Sequence, residues 1–232
     1  MKRVALVPLA VAALVLAGCG SSGSTTSGKA PSSVMAAAKK KLDSTSGVEI
    51  ALSASGDPGS DYLKSAEGTI VAKPPAFDGK ISGRISGIQA SDIHVISAGG
   101  TLWVDAPILG WTDNYQPKQL CAPDPATLLN PDSGVSDLLT SATGLTAGSA
   151  ERDTNDASVV TTPYSGKESG DAIRQILPCA KGDSFGVTFA IASDGSLRSA
   201  KLTGSFFPGA SSITYTIDIT KYDVTKDIKA PK

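Results

Sequence analysis

Apolar residues alternate with polar or small residues along most of the chain beyond Gly47, which is the period of a β-strand with one buried face. Turn-forming groups rich in glycine and proline separate these runs, for example Asp57-Pro58-Gly59 and Phe207-Pro208-Gly209. The pattern predicts about eight to ten antiparallel strands. The alternating apolar positions are Val48, Ile50, Leu52 and Ala54; Phe77, Ile81 and Ile85; Ile93 and Val95; Leu102 and Val104; Val160 and Tyr164; Phe185, Val187, Phe189 and Ile191; and Ile213, Tyr215, Ile217 and Ile219.

A helical period replaces the alternation at residues 30–46. Val34, Ala38 and Leu42 are spaced four residues apart there and predict one apolar stripe. The three lysines at residues 39–41 lie near the C-terminal end of this predicted helix, where the helix dipole favours cations. We interpret them as a solvated face in preference to a contact with anionic lipid headgroups.

Further helical segments interrupt the strand pattern in the middle of the chain. Residues 124–129 begin with Asp124 as a predicted cap and Pro125 at the first helical position. Apolar residues at helical spacing also occur within residues 132–139 and 168–178. Together with the strands, these segments predict an α+β fold in which a single curved antiparallel β-sheet wraps the helices.

Glycines share the apolar parity of one predicted strand. Gly79, Gly83 and Gly87 continue the positions of Phe77 and Ile81. Such glycines either leave space on the inner side of a curved sheet or mark bulges in a packed one, and the sequence favours neither interpretation.

The N-terminus has the features of a bacterial lipoprotein signal. Lys2 and Arg3 precede an apolar run from Val4 to Ala17, which is too short to cross a bilayer comfortably and fits a secretory signal. The run ends in Leu16-Ala17-Gly18-Cys19, a lipobox in which the Cys19 thiol takes a diacylglycerol. The alternatives are an ordinary signal peptide with a chance cysteine, or an anchor helix.

The lipoprotein interpretation divides the chain into three parts. Residues 1–18 are the predicted signal peptide, residues 19–28 the lipidated N-terminus and a flexible tether rich in Gly and Ser, and residues 29–232 a single lipoprotein domain. The protein is therefore expected to be lipid-anchored on the extracytoplasmic face of the cell membrane, in the cell envelope.

Composition excludes several classes of function. The chain has 232 residues, and its 21 Lys and Arg are balanced by 22 Asp and Glu, so there is no basic excess for nucleic acid. One His and three Cys argue against a His-rich metal site or a zinc ribbon, and we expect neither a metal nor a cofactor.

Two cysteines remain once Cys19 is assigned to lipid. Outside the cytoplasm two thiols are usually paired, so we predict a disulfide between Cys121 and Cys179. The alternative is two free buried thiols.

The sequence gives no case for an enzyme. A G-x-S-x-G match surrounds Ser184, but a helix is predicted before it and a strand after it, which is the reverse of a nucleophile elbow. His94, the lone candidate base, precedes Ser184 in the chain. Trp103 and Trp111 could stack on a sugar, although a place in the rim or core is the preferred interpretation.

Seven segments of the chain carry a resemblance to a known family. They are residues 16–19, SDIHVISAGGTLWVDAP (91–107), GWTDNYQP (110–117), DPATLLNPDSGVSDLL (124–139), GKESGDAIRQILP (166–178), VTFAIASDGSLRSAKL (187–202) and TIDITKYDVTKDIKAP (216–231). In these segments and in their order the chain resembles the LppX/LprA/LprF/LprG lipoproteins of mycobacteria and their relatives. The resemblance implies a half-barrel around helices and a large apolar cavity for acyl chains. It also implies an actinobacterial source, and transport of lipids or glycolipids toward the outer envelope with a membrane exporter as a partner.

The predicted function is therefore lipid binding without covalent chemistry. The alternative is a structural or accessory lipoprotein, an exporter partner or surface scaffold, with a closed core. The predicted cysteine pair departs from the family pattern and would restrain how far a cavity opens. Strand parity and the resemblance together select as candidate cavity residues Ile81, Ile85, Ile93, Val95, Leu102, Val104, Leu128, Leu129, Leu138, Val187, Phe189 and Ile191.

Overall fold

The structure, a computed structural model, describes residues 28–106, 110–117, 122–209 and 212–231. The predicted signal peptide, Cys19 and Cys121 lie outside these residues. The described chain forms one sheet of twelve strands and three α-helices. The helices are α1 (Pro31–Ser44), α2 (Leu138–Ser141) and α3 (Gly170–Ile176). The strands are β1 (Gly47–Ser55), β2 (Tyr62–Ala72), β3 (Pro75–Ile85), β4 (Ile88–Ala98), β5 (Thr101–Ala106), β6 (Gly110–Thr112), β7 (Thr143–Ala147), β8 (Glu151–Arg152), β9 (Val160–Ser169), β10 (Ser184–Ala192), β11 (Leu197–Gly204) and β12 (Ile213–Tyr222).

The sheet joins two meanders at its centre. Its order is β6-β5-β4-β3-β2-β1-β12-β11-β10-β9-β7, with β8 paired to β9, and it stays open at both edges. The first and last strands are neighbours, with Leu52 opposite Ile217, so the N-terminal half and the C-terminal half of the sheet meet there. The antiparallel α+β prediction is confirmed.

The strand pattern underestimated the number of strands, in part because β2 breaks its alternation. A register shift between Leu63 and Ser65 places an extra residue in the strand, so the parity of apolar positions changes there. Tyr62 and Ile70 are buried, while Glu67 between them is exposed. The short strands β6, β7 and β8 carry too few residues to show a period.

Helix α1 confirms the predicted segment and part of its apolar stripe. Ala38 and Leu42 are buried, Val34 is half-buried, and Met35, which the stripe omitted, is buried as well. Pro31 stands at the first position, where its missing N–H leaves no hydrogen bond unmade.

The predicted solvated lysine face of α1 is wrong for two of the three lysines. The Lys39 ammonium lies 2.8 Å from a carboxylate oxygen of Asp137 and donates to the Pro131 carbonyl at 2.8 Å. The Lys41 ammonium lies 2.6 Å from the Asp194 carboxylate. Both lysines tie α1 to distant loops, whereas Lys40 is exposed.

The Asp124 cap is confirmed. Its carboxylate accepts a hydrogen bond from the Ala126 N–H at 3.0 Å, and Pro125 opens a 3-10 helix at Pro125–Thr127. A second 3-10 helix, Val135–Asp137, leads into α2. The helical segment predicted within residues 132–139 therefore begins at Val135.

Gly79 and Gly83 of β3 do not create free space. A side chain at Gly79 would meet the Phe77 ring at 2.5 Å, and one at Gly68 on β2 would meet the same ring at 2.8 Å. The ring therefore lies across both glycines, as aromatic side chains do when they cover glycine on a sheet. Gly83 sits at a register shift, and Gly87 takes a positive φ of 77° in the β3–β4 turn. The bulge and packing interpretation is the one that holds.

One carboxyl group is buried beside the helices. Glu168 is 2% exposed and accepts hydrogen bonds from the Ser141 hydroxyl at 2.9 Å and the Ser169 N–H at 3.1 Å. Burial raises the pKa of Glu168, and the two hydrogen bonds oppose that rise. The group links α2 to the end of β9.

Candidate functional site

A large apolar cavity, which we call the main cavity, lies against the N-terminal half of the sheet. Its volume is about 460 Å³, within the range of roughly 300–1,000 Å³ that is usual for ligand pockets. Strands β1 to β5 form its wall, and the cover, which we define as residues 115–117 and 122–128, closes the opposite side. The lining residues are Ile50, Leu52, Leu63, Ala66, Phe77, Ile81, Ile85, Ile88, Gln89, Ala90, Ser91, Ile93, Val95, Leu102, Val104, Ala106, Tyr115, Gln116, Pro117, Ala122, Pro123, Pro125 and Leu128.

The cavity contains most of the candidate residues from the N-terminal half. The lining includes Ile81, Ile85, Ile93, Val95, Leu102, Val104 and Leu128. The candidate list omitted residues of β1 and β2 that line the cavity. For Ile50 and Leu52 the signal was present in the alternation of β1, whereas the register shift in β2 concealed Leu63 and Ala66.

The remaining candidates lie against the C-terminal half of the sheet. Leu138 and Phe189 line a second, smaller cavity. Leu129, Val187 and Ile191 border neither cavity and are buried in the packed core, at 8%, 3% and 3% exposure. Strand parity identified Val187 and Ile191 as inward-facing, but helices cover the inner face there and fill the space.

The cavity opens at the tip of the β3–β4 hairpin. Ile88 lines it and is still 70% exposed, so this residue stands where the cavity meets solvent. Asp61 holds the tip because its carboxylate accepts the backbone N–H groups of Ser86 and Gly87 at 2.7 and 2.8 Å. The polar residues that line the cavity at this end, Gln89 and Ser91, have neutral side chains.

The chemistry of the lining suits a hydrocarbon chain. None of the described residues around the cavity carries a charge, and its polar side chains are those of two glutamines, a serine and a tyrosine. A cavity of this kind takes up apolar groups by the hydrophobic effect. It offers no paired acid and base for bond cleavage.

Hydrogen bonds hold the cover in place at Asp124. The Ser97 hydroxyl, fully buried on β4, donates to the Asp124 carboxylate at 2.6 Å, and the same oxygen accepts from the Ala126 N–H. The backbone N–H of Val135 donates to the Leu128 carbonyl at 3.0 Å. These bonds fix Leu128 at the inner end of the cavity.

The second cavity is small and enclosed by apolar side chains. Its volume is about 90 Å³, and it lies between the helices and strands β10 to β12. Burial raises the pKa of Tyr215, which lines it, well above the ordinary value. Its lining residues are Leu52, Leu63, Ala122, Pro123, Leu128, Val135, Leu138, Ile173, Ile176, Leu177, Phe189, Leu197, Ala200, Leu202, Tyr215, Ile217 and Ile219.

The residues considered for catalysis are not brought together. Ser184 begins β10 and is exposed, while His94 lies on β4, with five strands of the sheet between them. The His94 Nε2 atom is 2.7 Å from the Asp78 carboxylate. The His94 ring contacts Trp111 edge-on, with 4.9 Å between the ring centroids. Burial pushes the pKa of Asp78 up, but hydrogen bonds from Lys226 and His94 hold it below its usual range.

Trp103 and Trp111 lie on the other face of the sheet. Both are half-buried and pack against a small cluster of Val71, Ala76, Ile96 and Ile228. Because Ile70 and Val71 are consecutive strand residues and belong to different clusters, this cluster is on the face away from the cavity. The tryptophans support the outer packing of the sheet.

The family model of the LppX_LprAFG lipoproteins matches residues 30–230 of the chain. The chain belongs to this lipoprotein family. Within it, the chain is 28% identical over 180 residues to the lipoarabinomannan carrier protein LprG of Mycobacterium tuberculosis, an alignment that covers 76% of this chain and 74% of that protein. The LprG protein of Mycobacterium bovis gives the same figures.

Two solved structures of LppX_LprAFG proteins have the same fold. LprF from Mycobacterium bovis matches with a TM-score of 0.72 at 12% identity, covering 87% of this chain and 96% of that one. LppX from Mycobacterium tuberculosis matches with a TM-score of 0.64 at 19% identity, covering 86% of this chain and 98% of that one. Among the described helices, none is long and apolar enough to cross a membrane.

Proposed function

We propose that this protein binds the acyl chains of lipids or glycolipids in the main cavity and carries or presents them toward the outer envelope. The observation that carries the proposal is a cavity of about 460 Å³ with an uncharged, largely apolar lining that opens at the β3–β4 hairpin. Each methylene moved from water into such a lining is stabilised by ~0.8 kcal/mol. Binding then needs neither covalent chemistry nor a cofactor.

The position of the opening supports a ligand with a polar head outside the cavity. The exposed side chain of Ile88 and the neutral side chains of Gln89 and Ser91 stand at the opening, while the rest of the lining is largely apolar. LprG is named as a carrier of lipoarabinomannan, a glycolipid, and similarity to it supports a glycolipid ligand for this chain as well. A membrane exporter would be the acceptor or donor in such a route.

A scaffold with a closed core is the competing function. Its core would be filled throughout, as the C-terminal half nearly is, and the main cavity would have no role. An open cavity of this size favours the carrier, because unfilled apolar space weakens packing and is retained at a cost in stability.

Native mass spectrometry of the mature protein, purified from membranes, tests the proposal. We expect lipid adducts that are lost on denaturation, because the bound chains are held without a covalent bond. The mass difference then names the lipid class. A mass without adducts, unchanged after incubation with actinobacterial lipid extract, would instead support the scaffold.

We also propose that residues 1–18 are removed, that diacylated Cys19 anchors the protein to the outer face of the cell membrane, and that residues 29–232 form one domain. The lipobox sequence and the family match over residues 30–230 support this division. Two acyl chains bind a membrane far more strongly than one.

A Cys19→Ala variant tests the anchor. We expect it to leave the membrane fraction, because the lipidated thiol is lost, while Cys19-containing protein stays there. Fractionation followed by detection of the protein measures the difference. Equal membrane retention of both proteins would show that another segment anchors the chain.

We further propose that Cys121 and Cys179 form a disulfide. Cys179 is half-buried just beyond α3, and two cysteines outside the cytoplasm are usually paired. With Cys19 assigned to lipid, Cys121 is the remaining cysteine of the chain.

A further inference from the structure

The main cavity and the second cavity are separated by a thin wall. Five residues, Leu52, Leu63, Ala122, Pro123 and Leu128, line both of them. A residue that borders two spaces stands between them, so the wall is in places a single side chain thick. No charged residue is among the five.

Three leucines form the flexible part of this wall. Leu52 on β1 and Leu63 on β2 belong to the sheet, and Leu128 approaches from the cover. All three are half-buried, although they lie between two interior spaces. Leucine side chains change rotamer without breaking a hydrogen bond, so a bound chain can displace them at low cost.

The second cavity offers further apolar surface to a chain that passes this wall. Its far side is formed by α2, α3 and strands β10 to β12, and every side chain of its lining is apolar except the Tyr215 hydroxyl. Empty apolar space of this kind stays dry and accepts hydrocarbon.

We propose that Leu52, Leu63 and Leu128 form a constriction through which the end of a long acyl chain enters the second cavity, so that this cavity sets the chain length the protein prefers. The proposal rests on the proposed lipid-binding function. It requires a ligand whose acyl chain is longer than the main cavity alone can hold.

Ile217 allows the second cavity to be altered alone. It lies opposite Leu52 in the pairing of β1 with β12 and lines the second cavity but not the main one. Ile217→Phe reduces the space beyond the constriction, and Ile217→Ala enlarges it. Ile217→Leu keeps the volume and is the matched control.

The experiment measures the affinity of the mature protein for monoacylglycerols that differ only in the length of one saturated chain. In the unaltered protein we expect affinity to rise about fourfold for each added methylene up to a limiting length. Ile217→Phe should move that limit to shorter chains, Ile217→Ala to longer chains, and Ile217→Leu should leave it in place. Short chains should bind all four proteins equally.

Leu202→Phe, on the neighbouring strand β11, provides a second way to fill the same space if Ile217→Phe does not fold. A limiting length that none of these substitutions moves would overturn the constriction and leave lipid binding intact. Failure of the unaltered protein to bind any chain would instead overturn the proposed function, so the two failures are distinguishable.

Discussion

Leu102→Trp is expected to weaken binding of acyl chains by roughly a hundredfold or more while leaving the fold intact. Leu102 lies on β5, is half-buried and lines the main cavity. An indole ring at this position extends into empty space and occupies the path of a chain. Exclusion of about four methylenes costs ~3 kcal/mol, which weakens binding by roughly a hundredfold or more.

A matched control separates a filled cavity from a strained core. Val187 has the same inward parity on β10 but is packed against other side chains and borders neither cavity. Val187→Trp should therefore lower the free energy of unfolding by about 1–3 kcal/mol, whereas Leu102→Trp should change it little. Binding is measured by displacement of a fluorescent lipid and stability by denaturant unfolding. A stable Leu102→Trp protein with unchanged lipid affinity would remove this residue from the binding site.

The cavity residues on β4 and β5 could be predicted from the sequence because apolar residues alternate there. Ile93, Val95, Leu102 and Val104 repeat every second residue, and all four line the cavity. The Asp124 cap could also be predicted from the sequence, since Asp followed by Pro is a local signal of a helix start. Local patterns of this kind need no knowledge of what packs above the sheet.

In the C-terminal half of the sheet, the sequence could not separate residues that line a cavity from residues packed in the core. Strand parity shows which face a residue lies on but does not reveal what covers that face. Phe189 and Val187 share one face of β10, yet the first borders the small cavity and the second is packed in the core. The difference comes from where the helices and the cover lie, which depends on contacts such as Lys39 with Asp137, far apart in the chain. The register shift in β2 likewise arises from pairing with β3.

Loss of the proposed Cys121–Cys179 bond is expected to lower the free energy of unfolding by about 4 kcal/mol, because the bond closes a loop of about 58 residues in the unfolded chain. Cys121→Ser, Cys179→Ser and the double variant should each lose the same amount, since each removes the same bond. Adding a reductant should lower the free energy of unfolding of the unaltered protein by an equal amount and leave that of the variants unchanged. Denaturant unfolding measures all of these, and losses that add in the double variant would contradict the bond.

The position of the two cysteines gives this bond a consequence for lipid binding. Cys121 directly precedes the part of the cover that Asp124 fixes, and Cys179 follows α3, whose Ile173 and Ile176 line the second cavity. A bond between them therefore ties the cover of the main cavity to the wall of the second one. Because it restrains how far the cover can move away from the sheet, we expect the serine variants to release bound lipid faster than the oxidised protein. Release can be followed by transfer of a fluorescent lipid to acceptor vesicles, and equal rates would show that the cover does not move during release.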